Sequence, residues 1–547
     1  EAFVTPESSI DEALTGDLVF VTNGNTSDTK EKMVELDVAL FETRLPSVFM
    51  KDSLEAAVES KSAATAPLLH LGPYGVHIDR GDTGSLRSKS SRRSKMSDST
   101  AVMPFVVPDS TGTLNDRYQC AVEQSEILPE RNQYLTDLWM EFKEKATLYA
   151  KAIIIEHYQA GGTKEMPMHS DDDVHFDCDD ITCTFIDDIR VDNGAWIHGG
   201  PEPNLERALK AAANELVAYN YVVTANIDGL SCPLICLVSY MGLRVIAKAK
   251  MPIDQSSVVY GSPNQGFTIV NKDHKAERLM IRLGKELRLL KHKVKDTSIV
   301  GPGDLAIYKG TDKRYYVTNI ARLMPPEASV KYIKRYPHVI FSRVLRPELL
   351  QWNGEPMSSD CFSGFQKWDD HREKHERAVL DITSRLYDRV IPQHAQRIEI
   401  QTDILSKKLS IFGRMHQQGI NIRHLGLLKH HTSSKNVQTT LLFLMALRVI
   451  KSRAAKQLRE IVLKKPDPAK AKAVIVENMN LITFNRTAVD YWQKEGKNEI
   501  LSYFGDIALT RKENGKKFKV WKSFPNAEKE YGVYYLQQAL GVQLKRD

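Results

Sequence analysis

Apolar residues at steps of three and four mark the first long element. Between Asn132 and Tyr158, the residues Leu135, Leu138, Trp139, Phe142, Leu148, Tyr149, Ala152 and Ile153 fall on one stripe and predict an amphipathic helix. The same spacing predicts helices over Asn204 to Val217 and Glu277 to Leu290. A period of two takes over in Leu234 to Tyr240 and Leu243 to Lys250, which flank Met241-Gly242 and predict a β-hairpin. In its second strand Leu243, Val245, Ala247 and Ala249 share one face, and Arg244, Lys248 and Lys250 share the other, as in a half-buried sheet; Ile246 interrupts the polar face. Tyr315 to Ile320 and Asp17 to Thr22 read as strands, Ser53 to Ala63 as a helix, and Pro325-Pro326 ends regular structure. From about residue 370 the pattern turns helical, with candidates at His371 to Val390, Ile398 to Gln417, Thr439 to Lys464 and Ala488 to Phe504, and no 34-residue repeat.

Leu441 to Leu447, between Gln438 and Arg448, is far short of the ~20 residues of a membrane span and reads as a buried helix, so no membrane insertion is expected. At 547 residues the chain should hold three or four domains at roughly 150 residues each. With 42% hydrophobic and 26% charged residues it can build cores, and a net charge of +6 over this length confines any nucleic-acid site to a local patch. Six scattered cysteines fit a reducing compartment, hence a cytoplasmic protein. The start, Glu1 to Asp11, lacks Met and any signal-peptide pattern, as in a processed or excised chain. Arg80 to Ser99, with Arg87, Lys89, Arg92, Arg93 and Lys95 among serines, is expected to be a disordered basic linker.

Candidate chemistry is sparse. His169 to Cys183 crowds Asp, His and Cys, but the spacing fits neither zinc nor an EF-hand, so a solvated acidic loop and no metal are expected. Cys232 and Cys236 are four apart in a strand, about 13 Å, too far for a disulfide. The strongest nucleic-acid patch is Lys516, Lys517, Phe518, Lys519, Trp521 and Lys522, where cations can meet phosphates and the two rings offer stacking surfaces. Lys331, Tyr332, Lys334, Arg335 and Tyr336 form a second patch; Arg423, His424, Lys429, His430 and His431 form a third. No Gly-x-Ser-x-Gly elbow or triad is visible, so enzyme function has no positive case, no catalytic residue is assigned and no cofactor is expected.

The most informative run is Gly301, Gly303 and Asp304, then Lys309, Gly310, Asp312, Arg314 and Tyr315, then Asn319, Arg322, Pro325, Pro326 and Glu327. Arg346, Pro347 and Glu348 follow, and later Gly419, Asn421, Arg423 and Gly426. In order and spacing this resembles the clustered mitochondria (Clu) domain, most strongly over residues 130–430. Lys313 stands where the family usually has Gly, and Thr318-Asn319 where it has Leu-Asp. The resemblance implies an α+β fold: a mixed Clu domain with antiparallel strands, followed by an all-helical region. The expected boundaries are a variable segment at 1–78, the basic linker at 79–115, the Clu domain at 116–350 and the helical region at 351–547. It also implies a binding or scaffold role in mitochondrial distribution, with messenger RNA, ribonucleoproteins or mitochondrial-surface proteins as partners. Two alternatives remain. One is a structural subunit of a larger assembly. The other is a degenerate kinase-like nucleotide site at Lys248, Asp304 and Asn319, where Asn319 lacks the charge of a magnesium-binding carboxylate and no glycine-rich loop precedes Lys248. Without such a site, Lys248 is an exposed strand lysine and Asp304 accepts backbone hydrogen bonds in its turn.

Overall fold

The structure is a computed structural model that describes residues 105–514, except 125–128, 159–165, 167–173, 191–193, 195, 199, 331–332, 334–338, 401–409, 465–466 and 484–485, together with short pieces nearer the termini. Strands β1 (Asp17–Val19), β2 (Met33–Asp37) and β15 (Gln543–Leu544) make a small sheet with β2 central. The first large sheet is antiparallel, in the order β3 (Phe41–Arg44), β7 (Ile235–Tyr240), β8 (Leu243–Ala249), β5 (Ile181–Phe185), β4 (His175–Cys178). Helix α1 spans Leu114–Val122, capped by Thr113, whose hydroxyl accepts from the Asp116 N–H. Helix α2 (Pro129–Tyr158) packs across β5, β7 and β8, and α3 (Leu205–Ala225) packs on β7 and β8.

The expected solvent face of β8 is therefore covered. Arg244 donates to the Leu209 carbonyl of α3 at 2.7 Å, and Lys248 pairs with Glu215 of the same helix at 2.6 Å. Ile246, which interrupts the polar face, is buried under that helix, and the opposite face is left to α2. Residues 169–173 of the acidic stretch lie outside the described residues, and from His175 on it differs from expectation, because it is the β4–β5 hairpin and not a solvated loop. Phe176, Cys178, Ile181, Cys183 and Phe185 alternate inward and are buried, while Asp177, Asp180, Thr182 and Thr184 are only half-buried and Asp179 is exposed.

The second large sheet runs β10 (Val270–Asn271), β9 (Val258–Gly261), β13 (Ala306–Lys309), β14 (Tyr315–Thr318), β6 (Leu230–Ser231), with only the β14–β6 pair parallel. At Gly261, with φ +82°, a Cβ would lie 2.0 Å from the Leu305 carbonyl oxygen, so only glycine lets β9 approach β13 there. The Tyr219 hydroxyl of α3 donates to the Val317 carbonyl at 3.0 Å, tying that helix to the second sheet as well. Helix α4 (His274–Leu287) starts at Asp273, whose carboxylate accepts the Lys275 and Ala276 amides, and buries Ala276, Leu279, Met280, Leu283 and Leu287 on one stripe. A separate hairpin, β11 (Lys291–Val294) with β12 (Thr297–Val300), follows it.

After α5 (Pro347–Asn353), the described structure up to Asn514 is helical: α6 (Arg372–Arg385), α7 (Ile391–Ile400), α8 (Ser410–Gln417), α9 (Leu425–His430), α10 (Lys435–Lys464), α11 (Pro468–Thr483), α12 (Arg486–Tyr491), α13 (Lys497–Phe504) and α14 (Arg511–Asn514). Residues 386–390 form a π-helical turn joining α6 to α7, in which the Ile391 N–H bonds to the Leu386 carbonyl. Pro392 explains it: the ring has no N–H and crowds the carbonyl four residues earlier, so the helix widens by one residue. Of the helix expected at Ile398 to Gln417, the described residues show the end of α7 and all of α8, and 401–409 lie outside them. Leu441 through Leu447 are all buried, with α9, α11, α13 and α2 packed around α10. No helix among the described residues is long and apolar enough to cross a membrane. The β7–β8 turn abuts α10: Arg459 donates to the Gly242 carbonyl at 3.0 Å, and a Cβ at Gly242 would meet the Ala455 carbonyl oxygen at 2.1 Å.

Candidate functional site

The run beginning at Gly301 folds into a buried ion cluster. Gly301 takes φ +94°, and the Leu305 N–H closes the turn on the Pro302 carbonyl at 3.0 Å. Asp304 then meets Arg322 through two bonds of 2.8 and 3.0 Å, so it serves a guanidinium and not the turn amides expected of it. The turn amide of Gly303 goes to Asp360, at 2.8 Å. Asp360 also takes Arg322 at 3.1 Å and His292 Nε2 at 3.0 Å. Phe365 closes one side. Its ring lies 5.1 Å from the Arg322 guanidinium and so close to Gly303 that a Cβ there would sit 2.9 Å away. Burial would raise the Asp360 carboxyl, but Arg322, His292 and the Gly303 amide hold it below the ordinary aspartate range. Burial would lower His292, yet its bond to Asp360 and the carboxylate charge prevail and raise it, while Nδ1 faces the Leu290 carbonyl at 3.3 Å. Both ring nitrogens thus face acceptors, which suits an imidazolium.

A second cluster surrounds Glu327, whose side chain is fully buried. One of its oxygens accepts from Arg343 at 3.0 Å and from the Tyr387 hydroxyl at 2.6 Å. The other accepts from Arg423 Nε at 2.9 Å, from the Arg423 Nη2, and faces His424 Nε2 at 3.0 Å. Against burial, Arg423, His424 and Arg343 hold this carboxyl well below the usual range. His424 is lowered: burial, joined by Arg423 and Arg343, outweighs Glu327. Around this centre the remaining motifs meet. Pro325 accepts the Leu345 amide at 2.8 Å, Arg346 pairs with Glu348 at 2.7 Å, and Asn421 donates to the Val344 carbonyl at 3.1 Å. Pro347 opens α5 at a position needing no N–H. Gly419 has φ +72° and backs onto Leu349, and Gly426 faces the Phe504 carbonyl.

The third group is the β13–β14 turn. Asp312 accepts the Arg314 amide at 3.1 Å, the Arg314 guanidinium at 3.0 Å and the Tyr316 hydroxyl at 2.6 Å. Arg314 reaches Glu123 beyond α1 through bonds of 2.6 and 2.8 Å. Tyr315 donates to Asp273 at 2.9 Å, and Lys309 lies 3.9 Å from the same carboxylate. Gly310 leaves room for Asp312, whose oxygen would be 2.4 Å from a Cβ there. The two departures from the family pattern, Lys313 and Asn319, both sit at positive φ, +70° and +57°. That conformation favours Gly, Asn or Asp, so Lys313 is the strained substitution.

Of the kinase-like trio, Lys248 is part-buried on Glu215 with Tyr219 beneath it at 5.6 Å, the lysine–helix-glutamate pairing that positions a phosphate-binding lysine in kinases. Asp304 is occupied by Arg322, and Asn319 is exposed next to β14. No bond among the described residues joins the three. Lys516, Lys517, Phe518, Lys519, Trp521 and Lys522 lie outside the described residues, as do the linker at 80–99 and Lys331, Tyr332, Lys334, Arg335 and Tyr336. Of the third basic patch, Arg423 and His424 serve Glu327 and Lys429 is buried on Glu513 at 2.7 Å, whereas His430 and His431 are exposed. Sequence reasoning missed His292, Asp360, Arg343 and Tyr387, which lie in ordinary strand, loop and helix contexts with no spacing to mark them.

Two family models match the chain. Residues 114–330 match the one described as "Clustered mitochondria", and residues 408–526 match "Translation initiation factor eIF3 subunit 135". Among curated relatives, a Candida glabrata "Clustered mitochondria protein homolog" is 22% identical over 57% of this chain and 28% of its own length. A Sclerotinia sclerotiorum homologue is 28% identical over 27% of this chain and 13% of its own, and an Arabidopsis thaliana "Clustered mitochondria protein" is 28% identical over 27% and 11%. The chain thus spans less than a third of each relative's length. No solved structure matches it.

Proposed function

We propose, from the premise that the chain carries a clustered mitochondria domain over residues 114–330, that it is a non-catalytic binding or scaffold protein, engaging messenger RNA or ribonucleoproteins and acting in mitochondrial distribution in the cytoplasm. The observation that carries this reading is how the shared motif residues are used. Asp304, Arg322, Glu327 and Arg423 are spent on buried ion clusters that fix the frame, which leaves function to the surfaces the frame displays. The names of the relatives support the mitochondrial part. The RNA part is tested with a fluorescent single-stranded RNA titrated across a salt series, comparing the intact protein with one neutralised at Lys516, Lys517, Lys519 and Lys522. Binding that weakens with salt and with neutralisation is expected; no binding at low salt sinks the RNA reading.

A second reading, a structural subunit of a larger assembly, is favoured by the match of residues 408–526 to a translation initiation factor subunit. It predicts that the protein sediments with a large particle in cell extract even when RNA binding is absent.

A further inference from the structure

Helix α6 starts at a residue whose side chain does not help to start it. His371 stands at the N-cap, where Ser, Thr, Asp or Asn would take a free amide of the first turn, yet its side chain makes no capping bond. The residue is exposed, and its ring makes no hydrogen bond among the described residues. His375 follows four residues later, one turn along the same face. The two rings have centroids 6.1 Å apart and planes inclined by 68°, so they are neighbours without being stacked.

One carboxylate holds both residues. Asp369 is buried; its Oδ1 accepts the His371 amide at 3.1 Å and its Oδ2 takes His375 Nδ1 at 2.8 Å. An ionised carboxylate only accepts, so Nδ1 of His375 carries a proton and Nε2 of the neutral ring keeps its lone pair. A carboxylate behind a histidine in this way fixes the tautomer and the ring direction of a metal ligand. The His375 side chain remains 11% open to solvent, and the His371 ring beside it is free to turn.

We infer that His371 and His375 form a binding site for a zinc ion at the start of α6. Two histidines four apart on one helix face can each turn a nitrogen toward a single ion. With zinc ~2.1 Å from each nitrogen in tetrahedral geometry, the ring centres would be about 5.2 Å apart, so the rings need close by only ~0.9 Å. No third His, Cys, Asp or Glu among the described residues joins them in a metal-holding group, so water or a donor brought by a partner completes the coordination. Imidazole donors suit zinc and its neighbours, whereas magnesium and calcium seek oxygen. The positive end of the helix opposes a cation here, but Asp369, Asp370 and Glu373 offset both it and Lys374, and Arg372 is turned to Glu376 at 2.8 Å.

The test titrates the whole protein with zinc chloride, read by calorimetry, by the shift in Tm and by NMR of isotope-labelled histidine rings. His371→Ala is the informative variant, since the exposed ring supports no described hydrogen bond and the variant should fold. His375→Asn removes the second ligand while its amide can still donate to Asp369. His274→Ala, at the first residue of α4 with 96% of its side chain exposed, controls for a lone surface imidazole. The expected result is zinc binding that raises Tm and moves both ring signals together, weakened roughly tenfold or more in His371→Ala and in His375→Asn and unchanged in His274→Ala. No zinc binding, equal binding by His371→Ala, or equal binding of magnesium overturns the site. A protein neutralised at Lys516, Lys517, Lys519 and Lys522 should keep its zinc site, so this site and the RNA reading can fail separately.

Discussion

The clusters around Asp360 and Glu327 are built from the same parts, a buried carboxylate bonded to arginine and histidine, yet they drive their histidines in opposite directions. His292 is raised and His424 lowered. The difference lies in the charge count. Asp360 and Asp304 share the single guanidinium of Arg322, so one negative charge is left over for His292 to neutralise. Glu327 alone faces Arg343 and Arg423, so positive charge is already in excess and a proton on His424 would add to it. A histidine beside a carboxylate is therefore not protonated by contact alone; the net charge of its whole enclosure decides.

The contrast can be broken most forcefully at Glu327. Glu327→Gln keeps the shape but removes the fully buried counter-charge of two part-buried guanidiniums, and should cost about 3–5 kcal/mol in denaturant unfolding. Asp360→Asn should cost less, about 2–3 kcal/mol, because Arg322 retains Asp304 and His292 can lose its proton. If the two losses are equal, the charge account fails. The smallest effects are the most specific, and NMR titration of the two rings reads them. His292 should titrate above the ordinary histidine value and His424 below it. His292 then stabilises the fold fully below about pH 6.5, and its contribution fades as pH rises through its folded pKa. His424 contributes fully above about pH 6.5, and stability is lost as pH falls toward its lowered folded pKa. In Asp360→Asn burial is opposed only by the Leu290 carbonyl and the charge of Asp369, and the His292 titration should move down.

Much of this frame was legible in the sequence, though unevenly. The stripes of α2, α3 and α4 and the hairpin at Met241-Gly242 were visible because each rests on local periodicity or a local turn. The β4–β5 hairpin was hidden by its own aspartates: five inward apolar residues alternate with polar ones, and the charge density of the stretch looked like a loop. The polar residues of β8 were visible, but their cover was not, because only tertiary packing brings Glu215 and Leu209 over them. The motif residues could be recognised by order and spacing, whereas their partners could not. Asp360 lies 38 residues from Arg322, and Tyr387 60 residues from Glu327, and no local pattern encodes a pairing made across such intervals. The π-helical turn before Pro392 was missed for the opposite reason, because a proline in a helical run reads as an end when the chain can also widen and continue.

The docking of the β7–β8 turn against α10 has a consequence for the order in which the chain takes shape during synthesis. Gly242 and Arg459 are 217 residues apart, and Glu206 and Arg459 253. At roughly 5–20 residues per second, the turn waits on the order of 10–40 s after its own translation before its partner exists. Through that interval the β7–β8 turn lacks the cover that α10 gives it in the finished protein, and a chain released early would lack it permanently.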